Sequence, residues 1–218
     1  MTNQAELKWL KVQALSGAVF AVFLFVHLLN QALAVLGART YDAAQGGLRR
    51  AYQAPVLEVV LVLAPLLLHV GTAVARTWRR RKEEAAPLAW RARLHRWSGR
   101  FLLVVFLGHI AATRGASFFF DVFPGFAGLA FTFRWVPAYF WPYYLLLALS
   151  GWYHLVHGLS VALPVLGLRV RLSERAFVAL VVVGAVALGA GVFALGGAFF
   201  DVGDPATSDY ARLVKRLT

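Results

Sequence analysis

Long apolar stretches alternate along the chain with short polar segments in which arginine and lysine gather. A hydrocarbon layer about 30 Å thick takes roughly 20 residues of helix at 1.5 Å each. Five stretches qualify, near Val12–Leu36, Val56–Ala75, Trp97–Thr113, Ala138–Leu163 and Ala176–Phe200. The third is short, and Arg100 in its first turn is expected to snorkel to the interface. Pro55, Pro87, Pro124 and Pro137 fall in connections or at helix starts, where a missing N–H costs little. Pro65 and Pro142 lie inside spans, at positions where kinks are expected. The segment Met1–Lys11 lacks the apolar run and small-residue cleavage site of a signal peptide, so it reads as a lead-in to a retained first helix. The pattern predicts an all-α integral membrane protein, a single membrane domain over residues 1–218.

Composition agrees. Of the 218 residues 60% are hydrophobic, against about 45–50% in soluble domains, and mean hydropathy is +0.66. A net charge of +12 would suit nucleic acid, but the basic residues flank apolar spans, which makes lipid headgroups their counter-charge and predicts no nucleic-acid partner. With no cysteine, disulfides, thiolate zinc sites, iron–sulfur clusters and c-type haem attachment are excluded. Any metal must be held by histidine, carboxylate or methionine, and the one methionine is Met1.

An odd number of spans puts the termini on opposite sides. The face shared by the N-terminus, the 76–96 loop and the 164–175 loop holds Lys8, Lys11, Arg76, Arg79, Arg80, Arg81, Lys82, Arg91, Arg93, Arg96, Arg100, Arg169, Arg171 and Arg175, 14 of the 22 Lys and Arg. The other face holds Arg39, Arg49, Arg50, Arg114, Arg134, Arg212, Lys215 and Arg216. The positive-inside rule makes the first face cytoplasmic and puts the C-terminus outside.

Five of the six histidines, His27, His69, His109, His154 and His157, fall inside spans. Ionisable residues at membrane depth are costly, usually face the bundle interior and mark a functional path. Helices 1 and 3 run outward and carry His27 and His109 in their outer halves. Helices 2 and 4 run inward and carry His69 and His154 in their inner halves. Two histidines at one depth on different helices are what bis-imidazole haem ligation requires, since the iron takes one nitrogen from each side of a flat ring. The expected pairs are His27 with His109 towards the outside and His69 with His154 towards the cytoplasm.

An internal echo links helices 1 and 3: Ser16-Gly17 precedes His27 as Ser98-Gly99 precedes His109, with 11 residues from Ser to His in both. Eleven residues are close to three turns, so each serine shares a face with its histidine, about 16 Å nearer the cytoplasm. That is the expected level of the inner pair, where small residues would let a macrocycle approach the backbone. Gly71, Gly108, Gly151 and Gly158 could serve similarly, and they equally suit ordinary helix packing. His157 shares roughly the face of His154 and is an alternative ligand or a propionate partner; His154 is preferred as the deeper of the two. His95 lies among arginines at the boundary, where a solvated histidine is expected first. Gln13, His95, Arg96 and Arg100 are candidates for the inner propionates. The fifth span has no histidine but has Gly184, Gly189, Gly191, Gly196 and Gly197, and reads as a packing helix beside a four-helix haem-binding core.

The stretches Ala14-Leu-Ser-Gly with Phe25-Val-His27-Leu, Leu57-Glu58 with Ala64-Pro65-Leu-Leu-Leu-His69, Arg96-Trp-Ser-Gly with Gly108-His109, and Trp152-Tyr-His154-Leu-Val-His-Gly158-Leu resemble a known family. It is the single-chain, five-helix, two-haem cytochrome b subunit of succinate:menaquinone oxidoreductases and related fumarate reductases. The likeness runs through all five spans. It implies two haem b groups and a membrane anchor in a bacterial cytoplasmic membrane for a flavoprotein subunit and an iron–sulfur subunit. Electrons would then pass between the iron–sulfur subunit and a quinone, menaquinone by the resemblance, near the outer haem. The chain has no glycine-rich phosphate loop and no cysteine set, so dicarboxylate chemistry belongs to the partners. Some fumarate reductases of this group carry a glutamate where this chain has Trp152, which leaves the analogous proton path without its carboxylate.

Quinone chemistry wants a carboxylate near the outer haem to take a proton. Asp42 and Asp121 in the outer loops are candidates, although such a residue is more often simply a solvated loop position. Glu58, in the first turn of helix 2, also suits the positive end of the helix dipole. Two other readings stand beside this one. A quinol-oxidising di-haem subunit of a nitrate reductase, formate dehydrogenase or hydrogenase is one, although the nitrate reductase type draws ligands from its last helix. A haem-free transporter or scaffold with a histidine proton relay is the other.

Overall fold

The computed structural model describes residues 3–79, 89–170 and 172–218. Arg80, Arg81 and Lys82 of the basic run, Pro87 and Arg171 lie outside the described residues. Among the described residues all regular structure is helical, and five helices are long and apolar enough to cross a membrane. The chain is an all-α membrane protein. In chain order the elements are α1 (Gln4–Leu36), α2 (Ala38–Tyr52), α3 (Val56–Arg79), α4 (Trp90–Phe120), α5 (Phe126–Trp135), α6 (Pro137–Val165), α7 (Glu174–Leu195) and α8 (Asp209–Leu217). The spans are α1, α3, α4, α6 and α7.

The third span is not short. The helix extends from Trp90 to Phe120; Arg91, Arg93, His95, Arg96 and Arg114 in its end segments interrupt the continuous apolar run by which spans are recognised. Arg100 therefore sits almost three turns into α4 and not in its first turn; it is exposed, with its guanidinium 5.4 Å from the ring centre of Trp97. The fifth helix ends at Leu195, short of Phe200, and Gly197 turns the chain at φ 85°. Pro65 is accommodated by a local widening. The Ala64 N–H donates to Val59 O across a five-residue step just before it, the π-type spacing that absorbs helix irregularities. A second π-type segment, Ala111–Gly115, lies in α4. Pro142 and Pro164 both lie within the continuous helix α6.

Helix α1 is central, packing on α3, α6 and α7; α6 also packs on α7 and α4. Leu28, Trp152, Leu155, Val156, Leu188 and Val192 form the core of that contact. The glycines of α7 bring it close: a Cβ at Gly184 would fall 2.0 Å from the Trp152 ring, one at Gly191 2.3 Å from Gln31 O, and one at Gly196 2.2 Å from Trp141. Trp152 also donates its indole N–H to Leu180 O at 3.1 Å. The helix acts as a packing helix. Outward faces carry Val22, Val104, Leu107, Val183 and Val186, all exposed, as lipid-facing positions require.

Three further helices cap the end of the bundle away from the N-terminus. Tyr41 of α2 is fully buried and accepts a hydrogen bond from Gln31 Nε2 at 3.0 Å. Asp42 Oδ1 accepts from the Phe126 N–H at 2.8 Å, capping α5. Helix α8 presses Tyr210 onto Gly128 of α5, where a Cβ would meet it at 2.9 Å.

Candidate haem-ligating histidines

Four of the five span histidines meet in two pairs. The rings of His27 on α1 and His109 on α4 have centroids 6.1 Å apart with planes at 73°. Those of His69 on α3 and His154 on α6 are 6.2 Å apart at 83°. An imidazole nitrogen bonds a metal at about 2 Å and lies about 1.1 Å from its ring centre, so two imidazoles sharing one axial metal have centroids about 6.2 Å apart. Both pairs meet that spacing. Among the described residues no group of three or more His, Cys, Asp and Glu gathers to hold an ion. Each pair could hold the iron of a haem, one imidazole from each side, and the residues present fit that group.

The His69–His154 pair is anchored from the other two helices. His69 Nδ1 lies 3.1 Å from Gln13 O; a carbonyl can only accept, so Nδ1 carries the proton and Nε2 keeps its lone pair. Ser98 Oγ donates to His95 O at 2.9 Å and stands 3.3 Å from His154 Nδ1, leaving the hydroxyl oxygen to accept from that nitrogen. Partners of this kind fix the tautomer and orientation of metal-binding histidines. The Ser-Gly echo serves the same pair. A Cβ at Gly17 would lie 2.6 Å from His69 Nδ1, and one at Gly99 2.9 Å from His154 Cε1. The glycines admit imidazoles, where the sequence suggested room for the macrocycle itself. Ser16 turns inward and donates to Val12 O at 2.8 Å.

His95 and His157 lie together. The His95 ring stacks on His154 at 4.1 Å and 14°, and His157 stacks on His95 at 4.7 Å and 29°. His157 also faces Tyr153 and Phe177, which places it beside α7 and beyond His95. The Nδ1 atoms of both His95 and His157 are buried without a hydrogen-bond partner. Among the other propionate candidates, the Gln13 side chain is held by Arg76, which also pairs with Glu6 at 2.8 Å, while Arg96 and Arg100 are exposed. Of the small residues beside the histidines, a Cβ at Gly158 would stand 3.4 Å from the His95 ring and one at Gly151 would meet Leu28, whereas Cβ atoms at Gly71 and Gly108 would meet nothing within 4 Å.

Beside His27 lie side chains of α1 itself and of α2, with Glu58 and Arg114 pairing at the ends of α3 and α4. Phe23 stacks on His27 at 5.7 Å and meets Tyr52 edge-on at 5.0 Å. Glu58 receives both arms of Arg114, Nε to Oε1 at 2.6 Å and Nη2 to Oε2 at 2.8 Å. This fork joins the two π-type segments of α3 and α4. Burial raises the Tyr52 phenol above its ordinary value, so it stays a donor at neutral pH. The other carboxylate candidates are differently employed: Asp42 caps α5, and Asp121 is exposed and ends α4 in the left-handed conformation at φ 53°. Arg114 and Tyr52 were not legible as site residues, since one reads as an outer-face cation and the other as part of a connection. No family model matches the chain, and no curated protein and no solved structure matches it either.

Proposed function

We infer that the chain is the di-haem cytochrome b anchor of a succinate dehydrogenase or fumarate reductase type complex in a bacterial cytoplasmic membrane. Its work would be to pass electrons between an iron–sulfur partner and a membrane quinone. The observation that carries the inference is the pair of 6.1 and 6.2 Å imidazole spacings on four successive spans. The bound haems would supply one-electron carriers at two depths of the bilayer.

The residues divide the work. His27 and His109 hold the outer position, His69 and His154 the inner one, with Gln13 and Ser98 setting the inner rings. His154 takes precedence over His157 because its ring is the one spaced for His69. His95 and His157, with buried free nitrogens, suit propionates better than Gln13, Arg96 or Arg100. Glu58 is the carboxylate best placed for quinol chemistry: it is partly buried, lies at the outer end of α3, and is paired with Arg114. It would take a proton from a quinol hydroxyl as electrons leave towards the His27–His109 position. The basic N-terminal face, with Arg76, Arg91, Arg93 and Arg96, is cytoplasmic in this reading and receives the soluble subunits.

Reduced-minus-oxidised spectra of the purified full chain test the first element. Two b-type haems per chain are expected; none would remove the reading. Co-purification of untagged partners and succinate-dependent quinone reduction then test the assignment to this complex.

A further inference from the structure

The end of the molecule away from the N-terminus carries an apolar recess that the histidine pairs do not use. It lies between the last turns of α4 and the helix α8, has a volume of about 200 Å³ and is lined almost wholly by apolar atoms. A single water takes about 10–15 Å³ on the same measure, so the recess has room for a chain of atoms. On the α4 side Ala111, Ala112, Gly115 and Ala116 line it, and their small side chains leave the space that larger ones would fill. On the α8 side Tyr210, Leu213, Val214 and Leu217 line it, spaced i, i+3, i+4 and i+7 along one helix face. Tyr210 and Leu213 are buried with Ala116, whereas Leu217 and Phe119 remain 64% and 75% exposed, so part of the wall is sealed and part is open. Arg114 and Ser117 in the same stretch of α4 turn the other way, Arg114 donating to both Glu58 and Ser117. A span whose polar residues turn inward shows its apolar residues to lipid.

The other side of α8 is basic. Lys215 and Arg216 are exposed and form no ion pair among the described residues, whereas Arg212 is paired with Asp209. By helical rotation Lys215 and Arg216 fall on opposite edges of the apolar stripe, and their long stems let both charges reach the headgroup level. Lys215 Nζ lies 6.0 Å from the ring centre of Phe131 on α5. We propose that the recess and α8 together bind one anionic diacyl phospholipid, with an acyl chain between α4 and α8 and the phosphate held by Lys215 and Arg216. A zwitterionic lipid meets the same apolar wall without the net charge that the two cations select. A second copy of the chain would bring the same positive charge to the site, and an isoprenoid quinone tail offers the cations no anion. The proposal needs the five spans and not the haems.

The test titrates the purified full chain in detergent with phosphatidylglycerol carrying a photoactivatable diazirine in one acyl chain, and with phosphatidylcholine carrying the same chain. Adducts are mapped by peptide mass spectrometry. Phosphatidylglycerol adducts should concentrate in residues 111–120 and 210–217, and phosphatidylcholine should reach them only at higher concentration. Replacing both cations, Lys215→Gln with Arg216→Gln, should raise the half-labelling concentration of phosphatidylglycerol by about 30-fold, from the usual worth of two basic residues at an anionic lipid surface. Ala112→Phe, at an exposed position on the recess wall, puts a ring into the space and should abolish labelling there with the cations intact. Melting temperatures identify which variants fold, and either folded variant decides the matter alone. Adducts spread evenly over the spans, equal half-labelling by the two headgroups, or labelling unchanged in a folded variant would each overturn the proposal. So would displacement of the probe by menaquinone, which would give the recess to a quinone tail, or a dimer that protects both segments from the probe, which would give it to a second copy.

Discussion

Gly17 of α1 lies against the ring of His69 on α3 so closely that a Cβ there would stand 2.6 Å from Nδ1. The neighbouring carbonyl of Gln13 accepts from that same nitrogen. Helix α1 thereby forms both the surface and the hydrogen bond that set the His69 ring. Substituting Gly17 with leucine should push the ring from its axis and lose the inner haem, while Gly71→Leu, in open space, should keep both. Pyridine haemochrome counts on the purified chain decide between them.

The histidines themselves separate cleanly. His27→Ala or His109→Ala should leave one haem, the inner, and His69→Ala or His154→Ala should leave the outer. His157→Ala should retain two, since its ring lies beyond His95 and not opposite His69. A count of one in His157→Ala would transfer the ligand role to it.

Glu58 and Arg114 distinguish proton chemistry from packing. Glu58→Gln keeps most of the side chain's shape and should retain two haems while quinol oxidation falls by about 100- to 10,000-fold, the range typical of losing a general base. Arg114→Leu leaves a partly buried carboxylate without its fork and should cost about 1.5–3 kcal/mol of stability, read from thermal melts in detergent. Asp42→Ala should lower stability by about 1 kcal/mol as a lost helix cap and leave quinol turnover unchanged. A large loss of turnover with Asp42→Ala would move the proton acceptor there.

The packing role of α7 is testable without reference to haem. A methyl group at Gly191 would meet the backbone oxygen of Gln31 at 2.3 Å, and a backbone gives way less readily than a side chain. Gly191→Ala should destabilise the chain by about 1–3 kcal/mol through overpacking, whereas Gly189→Ala, with nothing within 4 Å, should change little. Melting temperatures in detergent compare the two.

The spans and their number were legible in the sequence because hydropathy and helical rise are one-dimensional properties. Hydrocarbon demands an uninterrupted apolar run, and 1.5 Å per residue converts position into depth. The same one-dimensional view missed the length of α4, whose ends carry arginines, and missed α2, α5 and α8, which are too short to cross a bilayer. It found the Ser-Gly echo but not its neighbour: that Gly17 meets His69 and Gly99 meets His154 depends on which helices lie side by side. Tertiary structure alone decided that His154 and not His157 faces His69, and that Asp42 is a cap while Glu58 is gripped by Arg114. Each is a relation between residues far apart in the chain, set by side-chain packing across helix faces, and periodicity along one helix does not contain it.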